Sequence, residues 1–164
     1  MELTIDLPDP QATDRLGWHL AATRPASAVV HLHGDLGAGK STLARALLRA
    51  LGVTGTVRSP TYTLMERYPL DGGGEAWHLD LYRIADASEL DFLGLDEGAA
   101  TLWLVEWPSR GVGHLPCADV EVHLQESDEG RIARLEAGSP TGATWLGSLL
   151  RRLPGESSLR LISE

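Results

Sequence analysis

Apolar positions fall into short runs and spaced sets along this chain, and the spacing separates strands from helices. Residues 3–7 read as a short strand, closed by Pro8-Asp9-Pro10. Thr13 stands where it would cap a helix reaching about residue 22, with Leu16, Leu20 and the alanines on its apolar side. Residues 28–32 are a continuous apolar run of the buried-strand type. A glycine-rich turn follows. In residues 42–51, Leu43, Ala46, Leu47, Ala50 and Leu51 then recur at helical spacing, and Gly52 is a natural stop.

Further on, residues 61–68 and 75–82 read as two strands joined by Asp71-Gly72-Gly73-Gly74, the signal of a hairpin. In the second, Trp77, Leu79 and Leu81 alternate with His78, Asp80 and Tyr82. Residues 86–94 predict a short helix capped by Asp86 or Ser88. Residues 102–107 predict another buried strand, 120–124 and 131–137 shorter strands around a turn at 127–130, and 145–153 a final helix. Beyond Pro154 the chain is polar and short of apolar anchors, so 154–164 reads as a frayed tail on a single domain of residues 1–153. There is no internal repeat. Strand–helix alternation followed by paired strands predicts an α/β sandwich whose central sheet is mixed.

Composition narrows the chemistry. The 164 residues carry 43% hydrophobic and 23% charged side chains, an ordinary globular balance. No run approaches the roughly 18 apolar residues of a membrane span, and the N-terminus lacks the positive start and apolar stretch of a secretory signal. The expected compartment is therefore the cytoplasm, with no membrane partner. The single cysteine, Cys117, excludes an internal disulfide and reads as a small apolar filler near a turn rather than a reactive thiol. The net charge is −9 with no basic patch, so any role on nucleic acid runs through a partner protein. The chain contains no asparagine. Of its 14 basic residues only Lys40 is lysine. A sequence that elsewhere uses arginine keeps one compact ammonium on a flexible stem, which a planar guanidinium does not replace.

That lysine lies in Gly34-Asp35-Leu36-Gly37-Ala38-Gly39-Lys40-Ser41, which satisfies G-x-x-x-x-G-K-[ST]. The glycines let the backbone curl so that successive N–H groups point at anionic oxygens. The following helix aims its positive end at the same phosphates. Lys40 is expected to reach the β- and γ-phosphates of ATP, and the Ser41 hydroxyl to ligate Mg²⁺, a cation that takes few protein ligands. The match follows a buried-type strand and opens an apolar-periodic helix, as the mechanism requires.

Such loops work with an acidic residue at the end of another buried strand. Glu106 follows Leu102-Trp103-Leu104-Val105, and Asp80 sits within His78-Leu79-Asp80-Leu81-Tyr82. A buried charge needs a pair or a metal. The alternative for each is an exposed strand-end carboxylate or an arginine pair. Thr61, in Ser59-Pro60-Thr61-Tyr62-Thr63, is a candidate to sense the γ-phosphate or hold a metal-bound water; otherwise it belongs to a rigid turn. His31 and His33 alternate to one strand face, but without a third ligand they read as packing rather than a metal site. The five tryptophans read mainly as core, with Trp107 set apart by its place beside Glu106.

The phosphate loop, then Ser59-Pro60-Thr61-Tyr62-Thr63-Leu64, then His78-Leu79-Asp80-Leu81-Tyr82-Arg83, then Leu104-Val105-Glu106-Trp107-Pro108 occur in that order, and together they resemble the TsaE (YjeE) family. The resemblance covers roughly residues 10–137. It implies a P-loop NTPase-like fold and a small ATPase that supports threonylcarbamoyladenosine modification of tRNA. It implies a complex with the proteins TsaB and TsaD, with tRNA contacted only through that complex, and weak hydrolysis by the isolated chain. Carried over by position, it implies that Lys40 and the loop from Asp35 through Gly37, Ala38, Gly39 and Ser41 to Thr42 bind the nucleotide. Ser41 and Glu106 would hold Mg²⁺. Asp80 would be the functional acid, positioning water, and Thr61 would belong to a switch-like segment. Arg131 would lie near the nucleotide and Thr13 near the base. Ser41 stands where threonine is commoner, and the hydroxyl is kept.

Other classes stay in view. A small-molecule phosphotransferase on this scaffold needs an acceptor pocket and usually a lid bearing arginines, and no lid segment is visible. A nucleotide-sensing interaction protein would bind without significant turnover. A GTPase is disfavoured because its guanine-reading segment normally contains asparagine, and a protein kinase because its catalytic loop does.

Overall fold

Strict alternation marks two strands of the sheet. In β1 (Glu2–Leu7) Leu3, Ile5 and Leu7 are buried while the residues between them are half-covered or exposed. β2 (Ala28–His33) buries Ala28, Val30 and Leu32 in the same way. The computed structural model describes residues 1–95, 100–153 and 159–163. Its remaining strands are β3 (Met65–Pro69), β4 (Glu75–Asp80), β5 (Ala100–Glu106), β6 (Val120–Ser127), β7 (Gly130–Ala137) and β8 (Arg160–Ser163). They form one eight-stranded sheet in the order β3-β4-β5-β2-β6-β7-β1-β8. The inner pairings β4–β5, β5–β2 and β2–β6 are parallel, and the outer ones antiparallel. The sheet is mixed, as expected.

Three α-helices share one face. These are α1 (Pro10–Thr23), α2 (Lys40–Ala50) and α3 (Pro140–Arg152). Their apolar stripes, including Leu16 and Leu20, Leu43 and Leu47, and Trp145 and Leu149, meet the inward residues of β1, β2, β5, β6 and β7 in one core. The Trp145 indole N–H donates to Leu20 O at 3.2 Å and ties α3 to α1. On the opposite face, Trp77, Leu79, Leu81 and Val105 form a second cluster beneath a 3₁₀ segment at Ala87–Leu93. This segment is capped by Asp86, as predicted, with Glu89 completing a capping box.

Several boundaries differ from expectation. The cap of α1 is Asp9, whose side chain accepts from Ala12 N, and Thr13 lies inside the helix. Proline at the first helical position needs no N–H partner, so Pro10 starts the helix rather than closing the strand before it. The same device, Ser139 then Pro140, starts α3 five residues earlier than its apolar spacing indicates. Residues 61–64 form a turn, not the start of β3. Cys117 is exposed, not filler. Trp18 is exposed as well, whereas Trp77 and Trp145 are core.

The frayed-tail reading of 154–164 needs correction at its far end. Arg160–Ser163 pair antiparallel with β1, and Leu159 is buried against the core. The reason is backbone, not side chain: β1 would otherwise present an unpaired row of N–H and C=O groups, which any extended segment can satisfy. The rest of that tail, residues 154–158 and 164, lies outside the described residues.

Candidate functional site

The cleft lies at the C-terminal ends of the parallel strands, where open α/β sheets hold their ligands. Register places the acids. Asp80 ends β4 and is the direct partner of Glu106 at the end of β5. Both alternate onto the face that carries α2. The chain leaves β2 after His33 and curls through the glycine loop into Lys40, the first residue of α2. Two glycines show why the loop needs them. Gly39 holds φ at 108° ahead of α2, a conformation that side chains disfavour. A Cβ at Gly34 would come within 2.5 Å of Leu124 O.

Lys40 is 4% exposed, although lysine is seldom buried without partners. Its ammonium donates to Gly34 O at 2.6 Å and Asp35 O at 2.8 Å, and sits 4.5 Å from the centre of the Trp107 ring. Burial pulls its pKa below the ordinary lysine value, and the nearby charges of Glu106, Asp80 and Asp35 pull it back up. Trp107 reaches this place through a left-handed backbone, φ 57°, at the turn out of β5, and its ring also meets Tyr82 at 5.0 Å.

The Ser41 hydroxyl lies 2.9 and 3.1 Å from the two carboxylate oxygens of Glu106. Two adjacent ligands of one octahedral Mg²⁺, each at about 2.1 Å, stand about 3 Å apart. The pair therefore fits Mg²⁺ without rearrangement. Among the described residues, no group of three or more His, Cys, Asp or Glu side chains is arranged to hold a metal. A cation at Ser41 and Glu106 would accordingly depend on phosphate and water for its other ligands, as Mg²⁺ commonly does.

Asp80, 4% exposed, is anchored from two sides. Its Oδ1 accepts from Tyr82 N at 3.0 Å and its Oδ2 from the Thr61 hydroxyl at 3.0 Å. Thr61 in turn lies 2.8 Å from Ser59 Oγ. Arg131, on β7, donates to Gly37 O at 3.0 Å and lies against Gly39, where a Cβ would meet its Nε at 3.2 Å.

Of the sequence-predicted residues, Gly37, Gly39, Lys40, Ser41, Thr42, Thr61, Asp80, Glu106 and Arg131 line one cleft. Asp35 and Ala38 lie on the far side of the loop, facing His33 and His123. Thr13 is not brought to this cleft. It is fully buried in α1, and its hydroxyl has no hydrogen-bond partner among the described residues. His31 and His33 turn to Glu121, His33 at 2.5 Å, rather than to further ligands.

Sequence reasoning missed three groups. Tyr82 and Trp107 line the cleft. His78 backs Glu106. Alternation with Asp80 signalled that His78 shares its face, but only the β4–β5 register brings the ring to Glu106.

Comparison with known proteins places the residues that line this cleft within a matched region. The family model described as threonylcarbamoyl adenosine biosynthesis protein TsaE matches residues 7–134. The chain is 44% identical over 116 residues to the tRNA threonylcarbamoyladenosine biosynthesis protein TsaE of Haemophilus influenzae, covering 70% of this chain and 73% of that one. It is 35% identical over 135 residues to the same-named protein of Bacillus subtilis, covering 80% and 84%. A crystal structure of Bacillus subtilis YdiB superposes with a TM-score of 0.76 at 28% identity, over 92% of this chain and 95% of that one. With a family model that spans residues 7–134, relatives 35–44% identical over most of the chain and a solved structure of the same fold, the chain belongs to the TsaE family.

Proposed function

We propose that this chain is a Mg²⁺-dependent ATPase that supports threonylcarbamoyladenosine modification of tRNA in a cytoplasmic complex with TsaB and TsaD. The observation that carries the reading is the convergence of Lys40, Ser41 and Glu106 on one cleft, with the Lys40 ammonium hydrogen-bonded to loop carbonyls and set against an aromatic face.

Bound ATP with Mg²⁺ supplies the phosphoanhydride bond that is cleaved. The chain's residues bind and orient. Lys40 exchanges its two carbonyl acceptors for β- and γ-phosphate oxygens, while the loop N–H groups and the start of α2 face the same charge. Ser41 and Glu106 hold the cation. Asp80 and Thr61, already hydrogen-bonded to each other, orient the attacking water. The cations lining the cleft are Lys40 and Arg131, and Arg131 is engaged with the loop carbonyl of Gly37. An arginine supplied by a partner accelerates many P-loop enzymes by orders of magnitude. Turnover by the isolated chain is therefore slow, and docking on TsaB and TsaD raises it.

The test is ATP hydrolysis by the purified chain with and without TsaB, TsaD and tRNA. Slow turnover alone and faster turnover in the complex support the reading. Rapid phosphate transfer to a small metabolite, indifferent to those proteins, would replace it with a phosphotransferase. Binding without hydrolysis in any assembly would replace it with a nucleotide sensor.

A further inference from the structure

Glu106 has a neighbour to which the phosphate chemistry gives no task. His78 stands two residues before Asp80 on β4, on the same face, and is 1% exposed. Its Nε2 lies 2.8 Å from Glu106 Oε1, and its Nδ1 has no hydrogen-bond partner among the described residues. A carboxylate accepts, so Nε2 carries the hydrogen and donates. A second hydrogen on Nδ1 would be a buried donor with no acceptor. The arrangement therefore suits a ring hydrogen on Nε2, aimed at Oε1.

Ser41 alone cannot fix the Glu106 carboxylate, because its hydroxyl is nearly equidistant from both oxygens. His78 breaks that symmetry. With Oε1 held from behind, Oε2 remains with Ser41 as its one side-chain partner among the described residues. We infer that His78 is a positioning residue: its Nε2–H locks the Glu106 carboxylate in the orientation that presents Oε2 beside the Ser41 hydroxyl as a cation ligand. The inference rests on the proposed role of Ser41 and Glu106 in holding Mg²⁺. Groups that orient a metal ligand from behind commonly change metal affinity by roughly 10–100-fold when removed. A group that only fills space changes folding and metal-free ligand binding instead.

The experiment uses the full chain with His78→Leu, His78→Ala and His78→Gln. Glutamine keeps an N–H donor near the position of Nε2; leucine keeps bulk without a donor. Mn²⁺, read by electron paramagnetic resonance in the presence of ADP, is the probe cation. ADP affinity in excess chelator is measured by calorimetry, and circular dichroism melts report folding. In His78→Leu and His78→Ala, Mn²⁺ affinity is expected to fall roughly tenfold or more. His78→Gln is expected to recover most of it, and metal-free ADP affinity to stay unchanged throughout. If His78→Ala does not fold, the leucine–glutamine pair decides. Wild-type Mn²⁺ affinity in folded His78→Leu would overturn the inference, as would a parallel fall in metal-free ADP affinity or a failure of glutamine to rescue. Should the wild-type chain with ADP hold no Mn²⁺ at all, the metal role of Ser41 and Glu106 fails first and this inference with it.

Discussion

Lys40 is the one lysine or arginine buried among the described residues, and its ammonium spends both strong hydrogen bonds on carbonyls of its own loop. Those bonds keep the cation in place before any phosphate arrives, so little ordering remains to be done on binding. Lys40→Ala removes a charge-assisted contact of the kind worth about 2–5 kcal/mol in a desolvated site. ATP affinity measured by calorimetry is expected to collapse beyond ready detection, with the fold intact by circular dichroism. Asp80→Asn keeps an oxygen for Tyr82 N and places an amide toward Thr61, so binding is expected to survive while single-turnover hydrolysis slows. Full activity would return Asp80 to a purely structural place at the end of β4. Much of this site was legible beforehand, because a phosphate loop is a local sequence pattern and the single lysine marked itself out. The buried strand runs likewise pointed to Glu106 and Asp80. Trp107, Tyr82 and His78 were not legible as site residues, since each acts through a neighbour that only strand register or a left-handed turn supplies.

At the scale of elements, periodicity located most strands and the helix α2, while starts governed by capping were placed late. Asp9-Pro10 and Ser139-Pro140 open α1 and α3 before the apolar stripe begins, and a reading of hydrophobic spacing passes over them. Close helix contact was equally hidden. Gly17 lies in α1 where a Cβ would come within 2.7 Å of the Ala46 Cβ and 3.0 Å of Leu47 N on α2. Gly17→Ala gains about 1 kcal/mol of helix propensity, but overpacking costs about 1–3 kcal/mol. A lower midpoint in urea is expected, with a loosened contact between α1 and α2 at Ala46 and Leu47. Across the sheet's other face, His31 and His33 of β2 hold Glu121 of β6. Burial pushes the Glu121 carboxyl up, but the hydrogen bonds and charge of the two histidines outweigh it and bring its pKa to about 2. A depressed carboxyl stabilises the fold fully above its unfolded value of about 4.3 and loses that contribution as pH falls toward the folded value. The stability gap between wild type and Glu121→Gln is therefore expected to be fully present at about pH 5 and to close on approaching pH 2. A gap that widens from about pH 5 down to about pH 2 would overturn this account.

For the molecule as a whole, the sheet order separates function from a part of the fold that side-chain pattern did not reveal. The cleft sits at β4, β5 and β2 and reaches β7 only through the Arg131 side chain, whereas β8 is the far edge, with β6, β7 and β1 between β2 and it. At about 4.8 Å per strand, β8 stands roughly 19 Å from β2. All four residues of β8 are exposed, so its side chains contribute little, and its hold on the domain is main-chain pairing with β1 plus the burial of Leu159. Burying one leucine is worth about 1.5–3 kcal/mol, and the added strand bonds are largely offset by the ordering of the segment. Ending the chain after Leu153 is therefore expected to lower unfolding free energy by about 1–3 kcal/mol, to uncover the edge of β1 to self-association, and to leave ATP affinity as it was. Denaturant titration, light scattering and calorimetry on the shortened chain check the three parts separately. A fall in ATP affinity without loss of fold would mean that β8, or the segment leading to it, communicates with the cleft, and the separation argued from strand order would not hold.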